Sequence, residues 1–352
     1  MTNSPQLVSK RIDAPDSLDE INTLYYQRGW TDGLPIIPPT EERVAQMLTG
    51  TTGKPQDIIG EVPPQWAEAT VEKVAINAVM AGCLPEYMPV ILTALKAMLE
   101  PKFNLYAIQA TTHPVAPLII VNGPIRKELG LNSGYNVFGQ GNRANATIGR
   151  AIRLILINVG GGIPGKLDRA TMGQPSKYSF CIAENEERNP WQPLHVERGF
   201  DSLMSTVTVC SVENPLNIND HEGIDAEALL TTFAGTIAVQ GSNNVLYQDF
   251  LQQSGEPLVV IGPEHASTIA NSGFSKQDVK HFLFEKARIP KHQFSLKHQE
   301  ALFSAFADDA LIPVTRAENG IVIIVAGGAG KHSMFLPTFA LGSASVTKQI
   351  QP

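Results

Sequence analysis

The amino-acid sequence predicts an α/β protein of two similar lobes with mixed or parallel sheets, preceded by an N-terminal helical arm. Three observations carry this expectation. Short β-branched runs end in glycine turns and alternate with helical periodicity, the order of a sheet whose loops lie at the carboxyl ends of its strands. Pro117-Leu-Ile-Ile-Val-Asn-Gly-Pro124 is echoed by Pro257-Leu-Val-Val-Ile-Gly-Pro263, and Asn-Ser-Gly follows both at one offset, at residues 132–134 and 271–273. Each copy reads as a buried strand, a Gly-Pro turn, a short helix and an Asn-Ser-Gly cap, which points to duplication of a lobe. Finally, 352 residues with 43% hydrophobic and 17% charged side chains hold enough apolar material for two cores.

Taken in order, Ser17-Leu-Asp-Glu20 has the capping-box form, so a helix begins there and runs to about Gln27 before Gly29. In Trp30-Thr-Asp-Gly-Leu-Pro-Ile-Ile-Pro-Pro39 the prolines forbid a regular helix, and Thr40 restarts one that reaches about Leu48. Apolar residues at helical spacing predict a helix over residues 67–81, ended by Gly82, and a proline-started helix over 86–99. The longest clean apolar run, residues 154–159, is strand-sized and closes on Gly160-Gly-Gly162. A last β-branched run after Gly320 passes into the glycine loop Gly327-Gly-Ala-Gly-Lys331. The resulting division is an arm at 1–50, a first lobe at 51–210 and a second at 211–352, with the cleft between lobes as the default site.

Composition excludes several classes. A net charge of −7 with scattered Lys and Arg does not suit nucleic acid. Met1-Thr-Asn-Ser-Pro-Gln6 has no basic segment followed by an apolar one, and no run approaches the roughly 18 apolar residues that cross a bilayer. Cys83, Cys181 and Cys210 are spaced neither as a disulfide framework nor as a zinc knuckle. The expectation is a cytoplasmic homodimer with a small-molecule substrate and neither a nucleic-acid nor a membrane partner.

Several residues carry candidate chemistry. Cys83 lies between a helix end and a proline-started helix, where a positive dipole end would activate a thiol, with Glu86 and Tyr87 beside it as a proton shuttle. His113, His195 and His221 occupy turn-rich segments; with Glu197, Asp220 or Glu222 they could ligate a divalent metal, or act as acid–base groups without one. Glu186 stands in an acidic run directly after a strand. Arg143 and Asn145 sit in a Gly- and Asn-rich segment suited to a carboxylate or cyclic amide, as does Asn132 in the repeat. The glycine loop is not a P-loop, because Val325 and His332 stand where Gly and Ser/Thr are needed, but Lys331 and His332 could meet an anion. Trp30 and Asp32 read as a rigid lid carrying apolar cover and a charge.

At Gly29-Trp-Thr-Asp-Gly-Leu-Pro-Ile-Ile-Pro-Pro39, Met80-Ala-Gly-Cys-Leu-Pro-Glu-Tyr87 and Ala110-Thr-Thr-His-Pro114, the chain resembles a poorly characterised bacterial family. The likeness extends over nearly the whole length, including segments 142–162 and 217–223. That family is associated, by fusion or neighbourhood, with proteins carrying a Sec/Cys-Gly-Ser-Cys motif, so the resemblance implies sulfur- or thiol-linked chemistry; this chain has no Gly-Ser-Cys of its own. The expected function is a hydrolase or lyase for a small polar metabolite, such as a carbonyl or thiocarbonyl heterocycle cleaved at C–S or C–N. Asp32, Cys83, Glu86, His113, Glu186 and His221 are its candidate catalytic residues. Trp30, Asn132, Arg143, Asn145, Lys331 and His332 are the candidates for substrate binding. The alternative is a non-catalytic protein that presents a ligand or thiol to a redox partner.

Overall fold

Local sequence sets the first elements of the arm. The structure, a computed structural model, describes residues 6–247 and 255–351. Met1 to Pro5, part of the segment inspected for a leader, lie outside the described residues. Helix α1 (Leu18–Arg28) follows Ser17, but the serine side chain makes no cap hydrogen bond, so the expected capping box does not form; Gly29 closes the helix at φ 69°. Helix α2 (Glu41–Leu48) starts at Thr40, whose hydroxyl accepts from the Arg43 N–H.

The expected helix at 67–81 is shorter. Ala67–Thr70 forms strand β2, antiparallel to β1 (Ile58–Val62), and α3 (Val71–Ala81) begins after Thr70. The Thr70 hydroxyl accepts the Lys73 N–H, satisfying one orphan donor and fixing the start there. Helix α4 (Met88–Met98) follows a one-turn 3-10 segment at Pro85–Tyr87, and α5 (Leu105–Gln109) follows it. The strand-sized run at 154–159 belongs instead to α7 (Arg143–Asn158). Leu154, Ile155, Leu156 and Ile157 are all buried, and an unbroken apolar run so short shows neither the helix period nor the strand period.

Two four-stranded sheets, both mixed, form the centre. The first has the order β12 (Val346–Gln349), β5 (Thr206–Val212), β3 (Ala116–Asn122), β4 (Cys181–Ala183), with β3 parallel to β4 and the other pairs antiparallel. The second has the order β6 (Leu216–Asn219), β11 (His332–Leu336), β7 (Leu258–Ile261), β10 (Val322–Val325), with β7 parallel to β10. The connectivity matches strand for strand, and each lobe's antiparallel strand hands its successor to the other sheet. Strand β5 leads to β6, and β11 leads to β12. The two crossing segments touch, with Glu213 N donating to Pro337 O at 2.8 Å and Phe339 N to Ser211 O at 3.0 Å. The boundary expected at 210/211 therefore falls inside β5, and the last strand returns to the first sheet.

Alternation along the strands builds four layers. Ile119, Val121, Val207 and Val209 face α3, α4 and α7. Leu118, Ile120, Ile182, Cys210 and Val212 face the other sheet's Leu258, Val260, Val322 and Ile324. Val259, Ile261, Ile323 and Val325 face α9 (Ala226–Ile237), α11 (Pro263–Asn271) and α12 (Lys276–Lys286). The architecture is helices, sheet, sheet, helices. Short helices α6 (Ile125–Glu128), α8 (Leu194–Glu197), α10 (Asn243–Leu246) and α13 (Leu296–Leu302), with the small sheet of β8 (Arg288–Pro290) and β9 (Leu311–Pro313), fill its rim. Among the described residues, no helix is long and apolar enough to cross a membrane.

Candidate functional site between the lobes

The layer between the sheets turns polar at one end. Leu118, Ile120 and Asn122 alternate onto that face of β3, and Asn122 pairs in register with Thr206 of β5. Asn122 thus ends an apolar row at the carboxyl end of its strand. Its Nδ2 donates to Glu184 Oε2 at 2.6 Å and to Glu186 Oε1 at 2.9 Å. Glu184 is fully buried just past β4 and accepts further bonds from Asn189 Nδ2 (2.8 Å) and the Leu194 N–H (2.9 Å). Burial pushes its pKa above the usual carboxylate range, against the opposing charge of Lys276 and these donors.

Glu186 is the least enclosed member, its side chain 14% exposed. Oε1 accepts the Gly123 N–H at 2.8 Å, and Oε2 lies 2.9 Å from Arg126 Nη2. Gly123 reaches this position at φ 85°, and a Cβ there would collide with the Met204 carbonyl, so only glycine fits. Arg126 also grips Glu187, whose pKa that bond holds down at about 2. His195, buried on α8, brings Nδ1 to 3.9 Å from Glu186 Oε1, while its Nε2 faces the Ser202 carbonyl at 3.5 Å. Asn122 Oδ1, His195 Nδ1 and Thr206 Oγ1 are buried without a hydrogen-bond partner.

Both lobes close around this cluster. Asn185 N donates to Val325 O (2.7 Å), Trp191 Nε1 to Phe274 O (2.9 Å), and Lys276 Nζ to Gln192 O (2.6 Å). Glu197 of α8 lies between Lys276 and Lys280 of α12. On either side of α8 a groove opens. One, of about 610 Å³, is lined by Leu194, Arg198, Lys280, Ser345 and Thr347; the other, about 790 Å³, by Trp191, Pro193, Ser202 and Lys276.

Of the residues singled out from sequence, Glu186 and His195 belong to this cluster. Five others line up along α7. Asp32 forms a two-pronged ion pair with Arg150 (2.8 and 2.9 Å). Burial opposes its ionisation, yet Arg150 prevails and holds the carboxyl below its usual range, so Asp32 is an anchor rather than an acid–base group. Trp30 packs edge-on against Tyr25 and its carbonyl accepts from Asn158, tying the arm to α7 instead of forming a lid. Arg143 donates twice to the Gly82 carbonyl (3.2 and 3.0 Å), and the Asn145 side chain accepts the Asn132 N–H (2.9 Å) and donates to the Asn132 carbonyl (3.0 Å). Glu86 is exposed on the 3-10 turn.

Cys83 departs most from expectation. It follows the carboxyl end of α3, not a helix N-terminus, and its Sγ donates to the Thr147 carbonyl at 3.2 Å. Burial pushes its thiol up to about 12, outweighing the nearby Arg143 and Arg150. Cys181 and Cys210 are also buried with raised values. A thiolate is the reactive form, so the folded protein is expected to resist a thiol reagent such as DTNB until denaturant is added. Rapid modification of Cys83 in the native state would contradict this.

The histidines do not converge. His113 pairs with Glu213 (2.9 Å) before β3, at the opposite end of that seven-residue strand from His195. His221 is exposed in the second lobe, edge-on to His332 at 5.2 Å. Lys331 donates to the His221 carbonyl (2.6 Å) and His332 bonds Asn217 (3.1 Å). Among the described residues, no three His, Cys, Asp or Glu side chains form a group that could hold a metal, so the metal centre imagined from these histidines does not assemble.

Sequence reading missed a second buried histidine. His265 Nδ1 accepts from the Ser333 hydroxyl (2.8 Å), and its Nε2–H donates to the Asp220 carbonyl (2.9 Å). Ser333 Oγ also accepts the Gly262 N–H at 2.9 Å. Burial lowers the His265 pKa below 6.5. The unfolded chain therefore takes up a proton near pH 6.5 that the folded one refuses, and stability falls as pH drops through that value. Urea titrations between about pH 7 and pH 5 should show this slope, at most about 1.4 kcal/mol per pH unit, and His265→Gln should flatten it. An unchanged slope in the variant would contradict the assignment.

Asn122 and Thr206 were not singled out, and Glu184 stood out only as part of the acidic run after its strand. The available signal was the repeat itself, since Asn122 is the one residue of the first copy with no counterpart in the second. No family model matches this chain, and a search of the curated proteins finds no match.

Proposed function

We propose that the chain is a hydrolase or lyase for a small polar metabolite bound between the lobes, with His195 and Glu186 as its acid–base pair. One observation carries the reading: three buried, unpartnered polar atoms lie beside two carboxylates, at the carboxyl ends of parallel strands, where both lobes meet. Buried polar groups are nearly always paired, and each orphan costs about 1–3 kcal/mol. Such a cost is tolerated where a bound molecule supplies the partner. Sites in sheets of this kind lie beyond the carboxyl ends of the strands.

The chemistry follows from proton positions. With Nε2–H toward the Ser202 carbonyl, Nδ1 is the basic nitrogen of His195. It can accept a proton from water or from a substrate N–H or C–H, while Glu186, fixed by Arg126 and the Gly123 N–H, steadies the imidazolium. The 3.9 Å separation exceeds a hydrogen bond, and catalytic contacts of this kind tighten when substrate binds. Cleavage of a C–N or C–S bond by such a pair needs no thiol nucleophile, which agrees with the buried cysteines.

The test is incubation of the protein with a panel of small carbonyl and thiocarbonyl heterocycles, followed by proton NMR. Catalytic consumption of one compound is the expected outcome. Thermal stabilisation by a compound that is never consumed would favour a binding protein instead.

A further inference from the structure

The groove of about 610 Å³ beside α8 carries a chemical preference of its own. Within a chain of net charge −7, Lys102, Arg198 and Lys280 line it against Glu197 and Glu256. Lys280 is paired with Glu197. Arg198 makes one long ion pair, its Nη2 4.0 Å from Glu256 Oε2, and its short contacts are hydroxyls: Nη1 donates to Thr347 Oγ1 (2.8 Å) and Nη2 to Ser345 Oγ (2.6 Å). That Glu256 oxygen is engaged by the Ser345 N–H at 2.7 Å. A guanidinium whose short contacts are hydroxyls and whose one carboxylate stands 4.0 Å away, at the wall of a polar groove, offers a planar oxyanion a closer pairing than that carboxylate has.

The groove wall also touches β5, the strand that carries Thr206. Thr347 lies opposite Thr208 in register, their hydroxyls 2.8 Å apart, and Thr206 is the next residue on the same face of β5. Same-face residues on a strand are separated by about 6.8 Å. Thr206, Thr208 and Asn122 are fully buried and are not part of the groove wall.

We propose that this groove is the anion subsite of the enzyme, and that the substrate is a small oxyanion, a carboxylate or phosphate ester, whose charge docks on Arg198. The proposal rests on the acid–base reading above, but its test does not. Inorganic phosphate and glutarate are titrated at constant ionic strength and followed by calorimetry, with glycerol as a neutral control. Saturable binding of either anion supports the subsite: phosphate alone indicates a phosphate ester, glutarate alone a carboxylate, and both a general oxyanion site. Arg198→Met should weaken binding about tenfold or more, and Arg198→Lys should recover part of it. Glu256→Gln, which removes the competing negative charge, should tighten binding, a gain that a merely structural role for Arg198 would not give. Absence of saturable binding in the native protein, or unchanged affinity in Arg198→Met, overturns the subsite. Glu186→Gln should bind both probes as the native protein does, so lost turnover with retained binding separates the two readings.

Discussion

Arg150→Met is expected to lower the unfolding free energy by about 3–5 kcal/mol, because it leaves the Asp32 carboxylate buried without its counter-charge. The Asp32 side chain is only 3% exposed, and beyond Arg150 its oxygens meet just the Thr31 hydroxyl and the Leu34 N–H. Arg150 also donates to the Leu34 and Pro35 carbonyls, so the same substitution loosens the proline-rich segment from α7. Urea unfolding measures the loss, and limited proteolysis reports whether the arm opens first. Asp32→Asn should cost less, since an amide keeps some of the bonds, and adding it to Arg150→Met should restore part of the stability. The sign with pH follows from the lowered Asp32 value: the contribution is present above the ordinary 3.8 and is lost as pH falls through the folded-state value. A loss below about 1 kcal/mol would place this pair among ordinary surface ion pairs.

Glu186→Gln is expected to cut turnover by about 10²–10⁴, the contribution of a positioned acid–base group. The amide keeps the shape but cannot steady an imidazolium at His195. It also turns an N–H donor toward either Arg126 or the Gly123 N–H, so a stability loss of about 1–3 kcal/mol should accompany the effect. Glu186→Asp separates the two causes. It preserves the charge while withdrawing it from His195, so kcat should fall more than KM rises.

Much of the local structure was legible because it is written in neighbouring residues. The strands at 117–121 and 257–261, the glycine stops at Gly29 and Gly82, and the restart at Thr40 all follow from short-range rules. The exchange of β6 and β12 between sheets was not legible, since strand pairing across more than a hundred residues leaves no periodic trace. The repeated strand occupies the same place in two sheets of matching connectivity, as β3 and β7. At the site, Glu186 stood out because acids rarely follow a buried strand without a role. Asn122 and Thr206 did not, since one polar residue at the end of an apolar row resembles an ordinary strand terminus. Conversely, the candidate residues Asp32, Cys83, Arg143 and Asn145 do gather along α7, but each is hydrogen-bonded within the protein in a way that fastens segments together.

The most direct test of the inter-lobe acid–base site is kcat/KM for the panel's substrate, measured side by side for the native protein, Glu186→Gln and Cys83→Ala. The acid–base site requires a loss of about 10²–10⁴ in Glu186→Gln and a change within a few-fold in Cys83→Ala. Full activity in Glu186→Gln together with its loss in Cys83→Ala would contradict it and return the chemistry to the thiol.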